Sequence, residues 1–298
     1  MKFVQKSIDY LLSNGWFSFL NDRAFVSLLY YSKVSSCLNL KNPRKLNEKL
    51  QWLKLYNRKP EYSIYSDKVK VKDYIARVIG SDYVIPTLGV WKSSADIDFS
   101  KLPNKFVIKT NHNSGLGMYI CTDKSKMNES AVRANLTKGL KQDYYKCWRE
   151  WPYKNVERRI LAEQFLENSD GSPIADYKFY CYGGKPRYFM YSVGEASHQV
   201  RNHKFDMDCN SIDYLFKSKE TISASEIKLP ENFNIMKQIV EKLAVGFEHI
   251  RIDLYNVDGK IYFGEMTFFS GAGFITIENE EYSQYLADLI NLDNIKKL

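Results

Sequence analysis

Apolar residues near the start of the chain recur at helical spacing. Leu46, Leu50, Leu53 and the aromatic Tyr56 fall on one side of residues 45–56, with Glu48, Lys49 and Lys54 between them. The pattern predicts a helical, amphipathic region over 1–60 that ends at Pro60, then a helix over about 66–79 carrying Val69, Tyr74, Ile75 and Val78. After that the period changes. KFVIKT (105–110) reads as a strand, the Asn/Ser/Gly stretch 111–117 as a loop, and the run to Cys121 as a returning strand, so a hairpin with a flexible tip is expected. A polar helix at 128–145 follows, then a strand ending in Ala162-Glu163. Strands at 176–182 and 186–193 flank the turn Gly183-Gly184-Lys185. The polar stretch 196–228 predicts a long loop of the kind that covers a site. A helix at 231–246 puts Phe233, Met236, Val240 and Leu243 on one stripe, and a hairpin over 249–267 and a terminal helix close the chain. The mixture predicts an α+β or α/β fold with antiparallel pairs.

Composition narrows the classes. A length of 298 residues suits one large domain or two joined lobes, and 44% hydrophobic with 26% charged residues excludes overall disorder. Aromatics at 15% suit a large core or a sugar- or base-stacking surface. The net charge of +8 favours anionic partners, and the basic residues form no block, so a nucleic-acid arm is not indicated. Cys37, Cys121, Cys147, Cys181 and Cys209 occur singly, which argues against a disulfide framework or structural zinc. Lys2, Lys6 and Asp9 interrupt the first apolar stretch, so no signal core is read, and no run reaches transmembrane length. A reduced, cytoplasmic, soluble protein is expected, with room for membrane-associated partners.

The chemistry concentrates in the last hairpin. Asp258-Gly259 is a turn signal. With a three-residue loop 257–259, Asn256 pairs with Lys260, and Arg251, Asp253, Tyr255, Phe263, Glu265 and Thr267 share one face. Two acids on neighbouring strands suit Mg²⁺, which takes few protein carboxylates and completes its shell with water and phosphate oxygens. Arg251 beside them suits a transferred phosphoryl group or a developing oxyanion. The same residues read equally as a cross-strand ion pair on a solvated face.

Lys109 ends the FVIKT strand just before the loop, where a fixed ammonium can neutralise phosphate while backbone N–H groups close over a nucleotide. Neither a Walker A motif nor a dinucleotide fingerprint is present. Glu163-Gln164-Phe165-Leu166 ends a strand where backbone groups can meet an adenine edge. Asp176 and Lys178 place an acid and a base on one face of the next strand.

These pieces, in this order, resemble the ATP-grasp ligases, and most closely the TupA-like ATP-grasp family of polysaccharide and teichuronopeptide biosynthesis. The resemblance is carried by KLNEKLQWLKLY (45–56), SDK (66–68), LPNKFVIKTNHNSG (102–115), AEQFL (162–166), DYKFYCYGGKP (176–186), RIDLYNVDGKIYFGEMTF (251–268) and Ser270-Gly271. It implies an ATP-grasp fold of two α/β lobes with antiparallel sheets clamping ATP. A helical region (1–62) would precede a first subdomain with the phosphate-covering loop (63–172) and a second with the metal-binding hairpin (173–298).

Position by position, it implies ATP and Mg²⁺ as cofactors. Lys68 and Lys109 would meet the nucleotide phosphates, under a flap around Asn113, Ser114 and Gly115. Glu163, Gln164 and the backbone of Leu166 would meet the adenine, and Asp176 the ribose. Asp253, Glu265 and Thr267 would hold metal, with Thr267 standing where many relatives have Asn. Arg251 would steady the acyl-phosphate and tetrahedral states, and Lys178 would meet phosphate or substrate. The N-terminal region is shorter than the α/β domain of many relatives, and Ala272-Gly273-Phe274 lacks their usual Pro.

The implied reaction is carboxylate activation by ATP and ligation to an amine. The implied partners are an acidic glycan or a sugar-nucleotide or lipid-linked acceptor, and an amino acid, within capsule, O-antigen or cell-envelope synthesis. Two other readings remain open. One is a kinase on the same fold; the other is a glycosyltransferase, since Asp96-Ile97-Asp98 and Asp206-Met207-Asp208 both read DxD.

Overall fold

The computed structural model describes residues 2–13, 15–194, 200–217, 221–293 and 295. Helices α1 (Lys2–Ser13), α2 (Asp22–Val34) and α3 (Leu46–Tyr56) open the chain, as the spacing predicts. Leu46, Leu50 and Leu53 are buried, each worth about 1.5–3 kcal/mol of transfer free energy. Pro60 does not end a helix. It precedes α4 (Glu61–Ser66), where a missing N–H has no helical partner to lose. The single helix expected at 66–79 is instead the end of α4 and a separate α5 (Val71–Val78). The break is fixed by buried Asp67, whose Oδ1 accepts from Val69 N at 2.9 Å and from Asn111 Nδ2 at 2.8 Å.

Strands β1 (Thr87–Trp91), β2 (Phe106–Thr110), β3 (Met118–Cys121) and β4 (Ile160–Gln164) form an antiparallel sheet in the order β1-β4-β2-β3. The β2–β3 hairpin and β4 match the prediction; the edge strand β1 was not foreseen. Between β3 and β4, the helix expected at 128–145 is two: α6 (Glu129–Lys141) and α7 (Tyr144–Trp148). Gln142 is extended there, and the Asp143 carboxylate caps the new helix by accepting from Lys146 N.

Strands β5 (Ala175–Tyr182), β6 (Lys185–Val193), β7 (Arg201–Asp206), β8 (His249–Val257) and β9 (Lys260–Thr267) build the second sheet, ordered β7-β6-β5-β8-β9 and antiparallel throughout. Helices α8 (Phe233–Ala244) and α9 (Glu280–Asp288) complete the set. Strand β7 corrects the expectation of a loop over 196–228. Its polar sequence conceals a strand because polar side chains find partners on both faces: His203 meets the Ile222 carbonyl, and Lys204 the Asp213 carboxylate. His198 lies outside the described residues.

Each face of this sheet reads as a row across five strands. Phe205, Phe189, Phe179, Ile252 and Met266 are neighbours in register, all buried, and share a core with Met236, Val240 and Leu243 of α8. Offset by one residue, and so on the opposite face, run Lys204, Met190, Lys178, Asp253 and Glu265. The next row on that face is Asp206, Tyr188, Tyr180, Arg251 and Thr267. One face is therefore the main core and the other holds the chemistry. A smaller core joins Phe106, Ile108, Ile160 and Ala162 of the first sheet to Val132 and Leu136 of α6.

Candidate active site

The β8–β9 hairpin turns in two residues rather than three. Val257 pairs with Lys260, and Asp258 and Gly259 both have positive φ, 49° and 79°. That register alone would move the Glu265 side chain to the core face. A bulge at Gly264 restores it, so Asp253 faces Glu265 and Arg251 faces Thr267. A Cβ at Gly264 would lie 3.1 Å from both the Asp253 carbonyl oxygen and the Tyr255 ring, closer than most real contacts. Phe263, expected on the site face, pairs with Leu254 and is buried in the core; the short turn is the reason.

On the site face Arg251 binds both acids. Its Nε and Nη2 donate to Asp253 Oδ1 and Oδ2, each at 2.7 Å, and Nη2 also donates to Glu265 Oε1 at 2.6 Å. Thr267 Oγ1 donates to Glu265 Oε1 at 3.0 Å, and Arg251 Nη1 to Ser270 Oγ at 3.1 Å. Burial pushes the Asp253 carboxyl up against the pull of Arg251. Glu265 also feels burial, but Lys68, then Arg251, hold it down at about 2. Asp176 pairs with Lys178, yet its Oδ1 is buried with no hydrogen-bond partner. Burial, then the charge of Asp253, raise the Asp176 carboxyl to about 7.

Strand β2 supplies Lys109, and the α4–α5 turn and α5 supply Lys68 and Lys72. Asp67 is tied to Arg159 at 2.9 Å and to Asn111, which fixes the turn carrying Lys68. Lys68 Nζ donates to the Asn113 carbonyl at 2.9 Å and stands 3.8 Å from Glu265 Oε2, bridging from the first sheet's loop to the second sheet. Burial lowers the Lys68 ammonium pKa. Glu163 is gripped on both oxygens, by Lys72 and by Lys109, each at 2.6 Å. Burial would raise its carboxyl, but the two lysines hold it below the ordinary glutamate range. Lys72 was not singled out from the sequence; its signal was the i, i+4 spacing from Lys68.

Asn113 turns its side chain inward, donating to Gly139 O and Gln142 Oε1 and accepting from Thr110 Oγ1, so its backbone is what meets Lys68. Ser114 and Gly115 are exposed at the loop tip. Gln164 is exposed at the end of β4 and Leu166 half-buried just beyond it.

Other residues at the site gave no sequence signal. Glu150 is buried, and burial raises its carboxyl to about 7, with Lys54, Glu265 and Arg251 all acting on it. Tyr144 and Tyr153, from the same segment, have hydroxyl pKa values raised by burial and then by Glu150. Tyr255 is raised by burial and then by Asp176, Asp253, Glu265 and Glu163, so acids of both sheets converge on it. A pocket of about 310 Å³ opens on the same sheet face, lined by Tyr180, Tyr188, Met190, Lys204, Phe216 and the 270–276 segment. Tyr180 and Tyr188 stack within it, rings 4.5 Å apart and 9° from parallel. A larger groove of about 830 Å³, bounded by Lys41, Trp52 and Asp288, contains none of the predicted site residues. One acid of each DxD serves a turn: Asp98 accepts from Ser100 N, and Asp206 from Asp208 N and Asn210 N.

Among the described residues, no cluster of three or more His, Cys, Asp or Glu is placed to hold a metal ion by itself. Two carboxylates and a hydroxyl fit a hard cation that takes its remaining ligands from water and phosphate. No helix among the described residues is long and apolar enough to cross a membrane.

Two antiparallel sheets that turn lysines, acids and one arginine toward each other make this an ATP-grasp fold. Within that class the chain belongs to the TupA-like ATPgrasp family, which its sequence matches over residues 48–291. No curated protein matches the sequence. Among solved structures, it is similar to D-alanine–D-alanine ligase from Bacillus anthracis complexed with ATP, at 15% identity and a TM-score of 0.43, covering 76% of this chain. The chain spans 63% of that ligase's length. It is also similar to the Helicobacter pylori D-alanine–D-alanine ligase, at 18% identity and a TM-score of 0.46, covering 83% of this chain and 70% of that one. The ATP-grasp ligase PsnB complexed with minimal precursor gives 13% identity and a TM-score of 0.41, covering 82% and 66% respectively.

Proposed function

We propose that the protein uses MgATP to activate a carboxylate, that of a uronic acid in a surface glycan, and joins it to the amine of an amino acid. The observation that carries this reading is the convergence of Lys68, Lys109 and Arg251 with Glu163, Asp253 and Glu265 where the two sheets face each other. A carboxylate is a poor electrophile because oxide is its leaving group; phosphorylation replaces that with phosphate. Such chemistry asks the protein for positioning and charge neutralisation. Residues 63–172 and 173–298 act as the two jaws and 1–62 as helical support.

Lys68 and Lys109 neutralise phosphate oxygens beneath the 113–115 loop. Gln164 and Leu166 meet the adenine through the backbone at the end of β4. Glu163 holds Lys109 in place there, and Asp176 accepts from the ribose. Asp253, Glu265 and Thr267 hold Mg²⁺, which when bound offsets the charge of the phosphates. Arg251 places its guanidinium where oxyanion charge develops, with Lys178 alongside.

The test is incubation of purified protein with MgATP and pairs of uronates and amino acids. Release of ADP and phosphate that needs both substrates, with an amide mass gain, supports ligation. ADP with a phosphorylated sugar means a kinase, and UDP release from a sugar nucleotide means a transferase. Asp253→Asn and Glu265→Gln abolish turnover; full activity in both sinks the metal assignment.

A further inference from the structure

Helix α3 carries a second stripe besides its leucines. Asn47, Gln51 and Lys54 stand at i, i+4 and i+7, so they share one face. All three bond to the backbone of a single segment, 272–275. Lys54 Nζ donates to the Ala272 carbonyl at 2.6 Å. Gln51 Nε2 donates to the carbonyls of Ala272 and Gly273, at 3.2 and 2.9 Å. Asn47 donates to the Ile275 carbonyl and accepts from the Ile275 N–H, at 3.2 and 3.1 Å. Gln51 and Lys54 are fully buried, although polar side chains at such positions are ordinarily solvated.

The gripped segment is held in an uncommon conformation. Gly271, Ala272 and Gly273 all have positive φ (58°, 57° and 77°), and Ala272 has a side chain there. A Cβ at Gly273 would sit 2.8 Å from Gln51 Nε2, so helix and loop are fitted to each other. The segment also bounds the site. Ser270, at its start, accepts from Arg251, and Ser270, Gly271, Phe274 and Ile275 form one wall of the 310 Å³ pocket beside that arginine.

We propose that Asn47, Gln51 and Lys54 are positioning residues: α3 grips the 272–275 backbone and thereby sets the wall of the pocket that receives the substrate opposite the nucleotide. This rests on the reading above in which Arg251 acts at the reacting centre. None of the three contacts the lysines on the nucleotide side, so losing the grip changes co-substrate recognition and leaves nucleotide binding intact. Lys54 is balanced by buried Glu150, which is why the two must be changed together.

The experiment compares wild type with Gln51→Leu and with the double variant Lys54→Met/Glu150→Gln. Hydrogen–deuterium exchange of the free protein reads the opening of the gripped segment through its Phe274 and Ile275 amides, which bond to the Gly271 carbonyl and to Asn47 Oδ1. Thermal melting and fluorescent-ADP titration confirm that both variants fold and bind nucleotide. Exchange of the Phe274 and Ile275 amides rises about tenfold, the change expected when the segment loses one anchoring hydrogen bond and opens that much more readily, while β8 and β9 keep their protection. With D-glucuronate and the amino acid that wild type accepts, KM for D-glucuronate rises about tenfold and KM for ATP stays within about twofold. Unchanged exchange in 272–275, or a parallel rise in both KM values, overturns the proposal. Absence of turnover with D-glucuronate in wild type counts against the substrate reading, and the exchange data then decide the grip alone.

Discussion

Glu163 offers the sharpest energetic test, because its carboxylate is buried and holds two ammonium groups, Lys72 and Lys109, each at 2.6 Å. At an effective dielectric near 20, one such pair is worth about 6 kcal/mol of Coulomb attraction, and desolvating the ions offsets much of it. Removing one partner is different, because the remaining charges stay buried without compensation. Glu163→Gln keeps the shape and leaves both lysines in that condition, which costs about 3–5 kcal/mol. At roughly 2–4 °C per kcal/mol, the melting temperature falls by about 6–20 °C.

The assay is thermal unfolding by circular dichroism at several pH values. Because Glu163 titrates below its ordinary range when folded, its stabilisation is present above the unfolded carboxylate pKa and is lost as pH falls through the folded value. The gap between wild type and variant is therefore full at neutral pH and closes below about pH 4. A variant within about 1 kcal/mol of wild type at pH 7, or a gap that does not change with pH, refutes the reasoning.

Three further outcomes are expected. Arg251→Lys keeps the charge but loses the forked contact to Asp253 and Glu265, so kcat falls about 10²–10³-fold with KM for ATP little changed, read by phosphate release. Gly264→Ala crowds the Asp253 carbonyl and the Tyr255 ring, costs about 1–3 kcal/mol on a denaturant curve, and lowers turnover by shifting Glu265. Asp176 has its folded pKa raised to about 7, so the native state holds its proton more tightly than the unfolded chain. Its contribution to stability thus declines as pH rises from about 4 toward that value, and Asp176→Asn flattens this part of the stability profile.

Period-two alternation made much of the site legible in advance. Asp176, Lys178, Arg251 and Asp253 lie on strands, where sequence parity alone assigns a face, whereas Glu265 reaches that face only through the bulge at Gly264. The leucine stripe of α3 and the apolar stripe of α8 were legible for the analogous reason at period 3.6. Glu150 and Lys54 were not legible, because each depends on a long-range neighbour that no local pattern encodes. Strand β7 was missed because hydrophobicity marks a buried strand only when its buried positions are apolar. Lys204 is buried as half of an ion pair with Asp213, a partner nine residues away.

The hairpin shows how a wrong local step can still give a right face. A three-residue turn and a two-residue turn differ by one position, and in a strand one position exchanges core for site. Had the two-residue turn continued without interruption, Glu265 would point into the core beside Ile252 and Phe263, an uncompensated carboxylate in an apolar layer. Gly264 absorbs the difference by letting the strand bulge where a side chain would strike the Asp253 carbonyl. Phe263, before the bulge, keeps the register of the turn and is buried; Glu265, after it, joins Arg251 and Lys68. The bulge therefore reconciles two demands on one eight-residue strand. Its first half must supply core, and its second half must carry an acid and a hydroxyl to the face where Arg251 stands. Glycine, without a Cβ, is the residue that leaves room for both.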